Sequence, residues 1–338
     1  MSEIKDFKLD ENKNDFIIGV LPDKPDERDY VFVPKASREL VELPTSVDLR
    51  KYDTEIEDQK TTGSCVANAA CSALELMTAE KGTISDLSRL FVYWNVREHY
   101  SYLRGKDNGS YLRDAFKSIN KQGVPEEKDW EFDVSKVNVK PPQEVYEKAK
   151  NNKVIEYRRI NKRDIEKIKA ALYEGHPVIF STALGSKFFG LSKPLISQKY
   201  ERVNRTDNKL VGYHAMNIVG YDDTKQAFIV ENSWGTSWGD NGFCLFPYDV
   251  LTKDGLDLWV CTKFQFKGDV IEPEPKPEPK PEPKPEPKPE PKPDTVTEIF
   301  TEAEIKIIKN AMSFLKLLDK ETTRIFKQVI EFFKSFKG

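Results

Sequence analysis

Between Glu272 and Asp294 proline occupies every second position, in repeats of Glu-Pro-Lys-Pro. Each proline removes a backbone N–H and locks φ, so neither an α-helix nor an interior sheet ladder can run through this stretch. An extended polyproline-type rod is what is left to it, at roughly 3.1 Å per residue and on the order of 70 Å long. Its alternating charges carry no chemistry. The tract divides the chain into a front part that must build its own core, a linker (269–294) and a tail (295–338).

The tail returns to helical periodicity. Val296, Phe300, Ala303, Ile307, Ala311, Phe314, Leu318, Ile325, Val329, Phe332 and Phe336 recur at steps of three or four, with one longer step across Glu321-Thr322-Thr323. A stripe this apolar needs a cover. Self-association, docking on a partner protein and contact with a membrane surface are the three covers open to it. Acidic residues at 298, 302, 304 and 331 dilute the basic face and favour the first two.

In the front part the most telling segment is Gln59-Lys60-Thr61-Thr62-Gly63-Ser64-Cys65-Val66-Ala67-Asn68. Val66, Ala69, Ala70, Ala73, Leu74 and Met77 follow at helical spacing, which puts Cys65 in the first helical turn. Unpaired N–H groups and the helix dipole at that position favour thiolate over thiol. Taken alone, a buried packing cysteine is the commoner reading. Two later segments change that. Gly212-Tyr213-His214-Ala215-Met216-Asn217-Ile218-Val219-Gly220-Tyr221 reads as a half-buried strand opening on a histidine. Ala227-Phe228-Ile229-Val230-Glu231 reads as another strand, running into the Gly/Trp-rich turn Asn232-Ser233-Trp234-Gly235-Thr236-Ser237-Trp238-Gly239. A Cys, a His and an Asn are the set needed for acyl transfer: a nucleophile, a proton carrier and an amide oxygen to hold the imidazole.

On these residues the chain resembles the papain-like cysteine peptidases of the C1 family. The matching positions are Gln59, Gly63-Ser64-Cys65, His214-Ala215 and Asn232-Ser233-Trp234-Gly235, with Ser237-Trp238-Gly239 behind them. His214 and Asn232 follow Cys65 by about 150 and about 167 residues, near the roughly 130–150 of this family. Pro22-Asp23-Lys24-Pro25, Leu43-Pro44-Thr45-Ser46-Val47-Asp48 and Gly109-Ser110-Tyr111-Leu112-Arg113-Asp114 are similar to the compact, bacterial-type members. The resemblance implies an α+β fold of two lobes, a helical one and an antiparallel, barrel-like β one. It implies Cys65, His214 and Asn232 as the catalytic set and Gln59 as oxyanion donor. It also implies Ser64, Gly109, Ser110 and Trp234 in substrate binding or shielding, a polypeptide substrate and no cofactor. Where many members carry a second cysteine just before the nucleophile this chain has Thr61-Thr62, and Val66 stands where they carry tryptophan.

The rest of the front part fits that plan. Residues 44–150 read as mainly helical, with stripes at Leu87, Leu90, Phe91, Trp94 and Val96 and from Leu112 to Ile119, stopped by Gly123. Residues 151–268 read as mainly strands. They include Val154–Tyr157, Pro177–Ser181, Phe243–Phe246 and Leu258–Cys261, with one helix from an Asn161 cap to Glu174. His99, ending a helix, and His176, between Gly175 and Pro177, read as structural. Residues 1–43 form an extension that either straps the cleft or pads the surface.

A formal net charge of −3, with bases spread among acids, gives no case for nucleic acid as a partner. The cysteines Cys65, Cys71, Cys244 and Cys261 lack metal-type spacing, and only three histidines accompany them, so no metal site is expected. With Cys65 kept as a thiol an odd number is left, which points to a reducing compartment. The polar start shows no apolar signal core, and no run is long enough to span a membrane. The expected location is cytoplasmic, with carriage in a virion or into a host left open. Two rivals to peptidase action stand beside it: hydrolysis of another acyl group, and a catalytically silent interaction protein on the same fold.

Overall fold

The computed structural model describes residues 19–38, 41–52, 54–191, 200, 203 and 206–267. The chain divides after Ile271, where the proline repeats begin. The rod and the apolar-striped tail read from the sequence lie outside the described residues. Among the described residues no helix is long and apolar enough to cross a membrane.

The elements follow in order as β1 (Val20–Leu21), α1 (Lys35–Arg38), β2 (Ser46–Asp48), α2 (Cys65–Glu80), α3 (Arg89–Glu98), β3 (Ser110–Tyr111), α4 (Leu112–Gln122) and α5 (Gln143–Ala149). Then come β4 (Lys153–Ile160), α6 (Ile165–Tyr173), β5 (Val178–Gly185), β6 (Leu210–Asp222), β7 (Ala227–Glu231), β8 (Phe243–Pro247), α7 (Tyr248–Asp254) and β9 (Gly255–Gln265). This is the α+β order expected, helices first and strands after.

The strands from β4 onward form one antiparallel sheet in the order β4-β9-β5-β6-β7-β8, with β2 added on β6. One core cluster joins α2, α3 and α4 to the sheet through Ile179, Ala215, Trp259 and Cys261. A second, around Phe180, Met216, Ile218, Phe228 and Phe246, lies among the strands with α6 and α7. β6 contributes to both, Ala215 to one and Met216 to the other, as alternation along a strand requires. The helix α2 is buried almost all round, so its contact with β6 fixes the start of the helix against the middle of the sheet.

Some local expectations shift. The cap of α6 is Asp164, whose Oδ1 accepts from Lys167 N, and not Asn161. Asn161 turns on itself instead, its Oδ1 accepting from Arg163 N at 3.0 Å, and delays the helix by one turn. The middle helix begins after Leu87, at Ser88, whose hydroxyl accepts from Phe91 N. Gly123 does stop α4, with φ at 84°. His99 caps the end of α3, half-buried, as read. The short pair β1–β3, the edge strand β2, α5 and α7 had not been anticipated.

Candidate active site

The loop before α2 is shaped by its own hydrogen bonds. Lys60 takes a φ of 51°, Thr62 Oγ1 donates to the Gln59 carbonyl at 2.8 Å, and Gln59 Nε2 donates to the Thr62 carbonyl at 2.8 Å. Gly63 N is held by Asp107 Oδ1, which also accepts from Tyr93 OH. This closed turn delivers Cys65 as the first residue of α2, completely buried. The Ser64 hydroxyl is engaged with Thr62 Oγ1 and Asn68 Nδ2, so it shapes the helix start and does not face a cleft.

The other side of the site comes from the sheet. His214 pairs with Thr182 across β5 and β6, and its Nε2 lies 2.7 Å from Asn232 Oδ1. An amide oxygen only accepts, so Nε2 carries the proton and Nδ1 is the basic nitrogen. Asn232 follows directly after β7; its N–H donates to Gly242 O and its Oδ1 also accepts from Ser233 N. The Trp234 ring covers this pair, its centroid 4.8 Å from that of His214 with planes 30° apart. Phe188, Phe189 and Trp238 pack on the same indole. The two sides are stitched together at Gln59: its N donates to Ser233 O and its Oε1 accepts from Ser233 Oγ. Thus Cys65, His214, Asn232, Gln59 and Trp234 converge, and the backbone N–H of Ala215, next to His214, points to the Cys65 sulfur.

A second N–H on that sulfur comes from Gly19. The N-terminal segment crosses the site here, pairing in parallel with β3 through Val20↔Ser110 and Leu21↔Tyr111. Ser110 N donates to Gly19 O at 3.0 Å. A Cβ on Gly19 would come within 2.6 Å of the Gly63 carbonyl oxygen, and one on Gly109 would overlap the Gly19 carbonyl. Three glycines therefore meet backbone to backbone by the thiol, so that residues 19–21 of this extension run across the site. Gly109 and Ser110 hold the strap.

The strap is then clasped. Asp23 N donates to Asp257 Oδ2 at 2.8 Å, while the Asp23 carboxyl accepts from Trp259 Nε1 at 2.8 Å and from Arg113 N. Burial, then the nearby Asp257 charge, raise the Asp23 carboxyl to about 7 against the pull of Trp259 and Arg113. The Arg113 side chain reaches Lys24 O and Asp29, and Arg159 reaches Asp29 and Asp257. Nothing in the linear pattern pairs Asp23 with Asp257, and Trp259 reads there as a plain core residue of a strand.

Covering the site changes its electrostatics. Burial pushes the Cys65 thiol up to about 11, although the Ala215 and Gly19 N–H groups pull it down. Burial also depresses His214 to about 4, outweighing the Asn232 hydrogen bond that favours its charged form. Burial thus works against both the thiolate and the imidazolium, and against the dipole at the start of α2 that favours the thiolate.

The chain is similar to known proteins. Residues 43–255 match the model of the papain family cysteine proteases. An uncharacterized peptidase C1-like protein of Acanthamoeba polyphaga mimivirus is 34% identical over 270 residues, 72% of this chain and 85% of its own length. The crystal structure of xylellain, a cysteine protease from Xylella fastidiosa, has a TM-score of 0.65 and 31% identity, covering 72% of this chain and 94% of that one. The bromelain protease of Ananas comosus, at 20% identity and a TM-score of 0.52, shares the fold. The chain belongs to the papain family of cysteine proteases. It is a cysteine-type peptidase, similar to the compact bacterial kind.

Proposed function

We propose that Cys65 is the nucleophile of a peptide-bond hydrolysis in which His214 carries the proton and Asn232 sets the imidazole tautomer. The observation that carries this is the buried His214 Nε2–Asn232 Oδ1 hydrogen bond, made one residue from the Ala215 N–H that touches the Cys65 sulfur. In the open site the thiol proton passes to Nδ1, giving thiolate and imidazolium, and the thiolate attacks the peptide carbonyl. The oxyanion is met by Cys65 N–H and by the Gln59 amide, which is anchored through Thr62 O and Ser233 Oγ. Imidazolium protonates the leaving amine; imidazole then takes a proton from water, which frees the acid and returns the thiol. The substrate is a polypeptide.

In this reading the full chain is latent, because the strap holds the thiol and imidazole neutral and covered. Its four buried thiols suit a reducing compartment. Replacing Cys65 by Ala tests the chemistry: turnover of a peptide amide should fall by at least about 10⁴-fold with the fold retained. Cleavage at the wild-type rate by that variant refutes the mechanism.

A further inference from the structure

Behind the catalytic pair, on the face of the sheet turned to α2, lies a group of polar residues where the pattern calls for apolar ones. Asn217 on β6 and Glu231 on β7 are direct cross-strand partners, and Ser72 on α2 sits against both. All three are buried, at 1%, 5% and 4% exposure. Polar side chains are costly there unless paired.

Ser72 Oγ donates to Glu231 Oε1 at 2.6 Å, and the same oxygen accepts from Asn217 Nδ2 at 3.0 Å. A hydroxyl has one hydrogen, and the carboxylate takes it. Ser72 must therefore accept from Asn217, which fixes the Asn217 amide with Nδ2 toward Ser72 and Oδ1 away. Asn68, one turn after Cys65, is fixed likewise: its Nδ2 donates to Ser64 O and Ser64 Oγ, leaving Oδ1 over. Asn232 is fixed the opposite way, with Oδ1 occupied by His214 and Ser233 N, leaving Nδ2 over. Asn68 Oδ1, Asn217 Oδ1 and Asn232 Nδ2 are each buried without a protein partner. The three residues line one small cavity of about 10 Å³, together with the polar Glu57, Ser72, Glu231 and Ser233 and the apolar Ala69, Ala215 and Met216.

That volume is about one water-sized sphere, and a buried water wants two to four polar partners. Among the side-chain amides, two acceptors and one donor are left over, which match a water that donates twice and accepts once. We infer that this cavity binds a single structural water, through which Asn68 and Asn217 orient the Asn232 amide toward His214. The polarity is set from one end. The Glu231 carboxylate accepts from Ser72, which accepts from Asn217, whose oxygen accepts from the water, whose own oxygen accepts from Asn232 Nδ2. A flipped Asn232 would then set its oxygen, an acceptor, against the accepting side of the water, and its amide N–H against the N–H of His214 Nε2. Ser72, Asn217 and Asn68 are positioning residues acting through Asn232, and the inference rests on the role given to Asn232 above.

Two measurements test it on the full chain. A crystal structure at a resolution that shows ordered water should place one water within hydrogen-bonding distance of Asn68 Oδ1, Asn217 Oδ1 and Asn232 Nδ2. A dry cavity overturns the site, whatever the activity. Kinetics of Ser72→Ala, which deletes only a hydroxyl, and of Asn68→Leu, which fills the cavity, should show kcat lowered about fivefold with KM unchanged. The alkaline limb of the kcat/KM profile should move to lower pH, since a loosened Asn232 favours imidazolium less. Both variants are measured with and without Gly19→Val, so that the strap does not mask the change. Unchanged kcat and pH limb in a folded Ser72→Ala protein overturns the positioning role. A wild-type protein that has the water but no peptidase activity would instead refute the function and leave the water site standing.

Discussion

The two arms that meet over Cys65 are held in opposite ways. The His214–Asn232 arm is fixed by neutral hydrogen bonds under a lid of Trp234, and its stitch to Gln59 runs through Ser233 without a buried charge at the contact. The strap arm is fixed by a carboxyl, Asp23, buried beside a second one, Asp257. Hydrogen bonds between neutral groups such as Gln59 and Ser233 do not answer to pH near neutrality. A buried acid whose pKa is raised to about 7 does. On the reading proposed above, the difference teaches that the catalytic geometry is built to persist and its cover to come off.

The largest effect expected on the permanent arm is at Gln59. In the mechanism proposed above Gln59→Ala removes an oxyanion donor, and it should lower kcat by about 10²–10³-fold. KM and the thermal midpoint should move far less, because Thr62 and Ser233 keep their backbone bonds. A kcat within twofold of wild type, by steady-state kinetics on a peptide amide, would show that the oxyanion is met elsewhere.

On the removable arm the strongest lever is Gly19. Valine there has no room, since the first added carbon already meets the Gly63 carbonyl at 2.6 Å. Gly19→Val should lift the strap and raise the initial rate of the full chain by about tenfold or more, the equivalent of roughly 1.4 kcal/mol of lost docking. Equal rates in the two proteins would mean that the strap does not limit access.

The next effect is pH-dependent, and its sign follows from the clasp. Docked, Asp23 holds its proton to about 7; released, it returns to its ordinary value of 3.8. The docked state therefore binds the extra proton. Its advantage is fully present below about 4 and is lost as pH rises through about 7. Facing Asp23 are the Asp257 carboxyl, the Arg113 guanidinium and N–H, and the Trp259 indole, with Arg159 behind Asp257. Activity of the full chain should climb between pH 5 and pH 8 more steeply than that of Gly19→Val. Asp23→Asn, an amide where the protonated acid stood, should stay latent across the range. Progress curves at each pH decide it, and a flat ratio of wild type to Gly19→Val sinks the clasp.

Much of the permanent arm was legible in the sequence because Cys65, His214 and Asn232 sit in or directly beside regular elements, although β6 begins at Leu210 and His214 lies within it. Cys65 opens a helix with an apolar stripe, and Asn232 closes a five-residue strand before a Gly/Trp turn. The strap was not legible in the same way. β1 and β3 are two residues long, too short for a period, and they meet because Gly19, Gly63 and Gly109 fit one another across the fold. The clasp joins Asp23 to Asp257 across 234 positions, which no local pattern encodes. Asn161 and Asp164 compete for one helix start, and only the turn that Asn161 makes with Arg163 decides between them. Ser72, Asn217 and Glu231 left a readable trace as polar residues on faces that should be apolar. Their partners could be assigned only when strand register set Asn217 against Glu231.

The smallest effect concerns the thiols, and it separates the two arms once more. All four cysteines are buried and free. Cys65 and Cys71 share α2, where six residues of rise set their Cα atoms about 9 Å apart, beyond the span of a disulfide. Cys71 and Cys261 belong to the core on the helical side, Cys244 to the one among the strands. Burial holds Cys261 up near 12, so it offers almost no thiolate for exchange. Added reductant should leave the thermal midpoint within about a degree, since no cross-link constrains the unfolded chain. Iodoacetamide at mildly acidic pH should label none of the four quickly in the full chain, and Cys65 alone in Gly19→Val. A midpoint that drops by many degrees with reductant would reveal a bridge among Cys71, Cys244 and Cys261. Quick labelling of Cys65 with the strap intact would show that the cover opens without help, and the contrast between a fixed arm and a clasped one would fail.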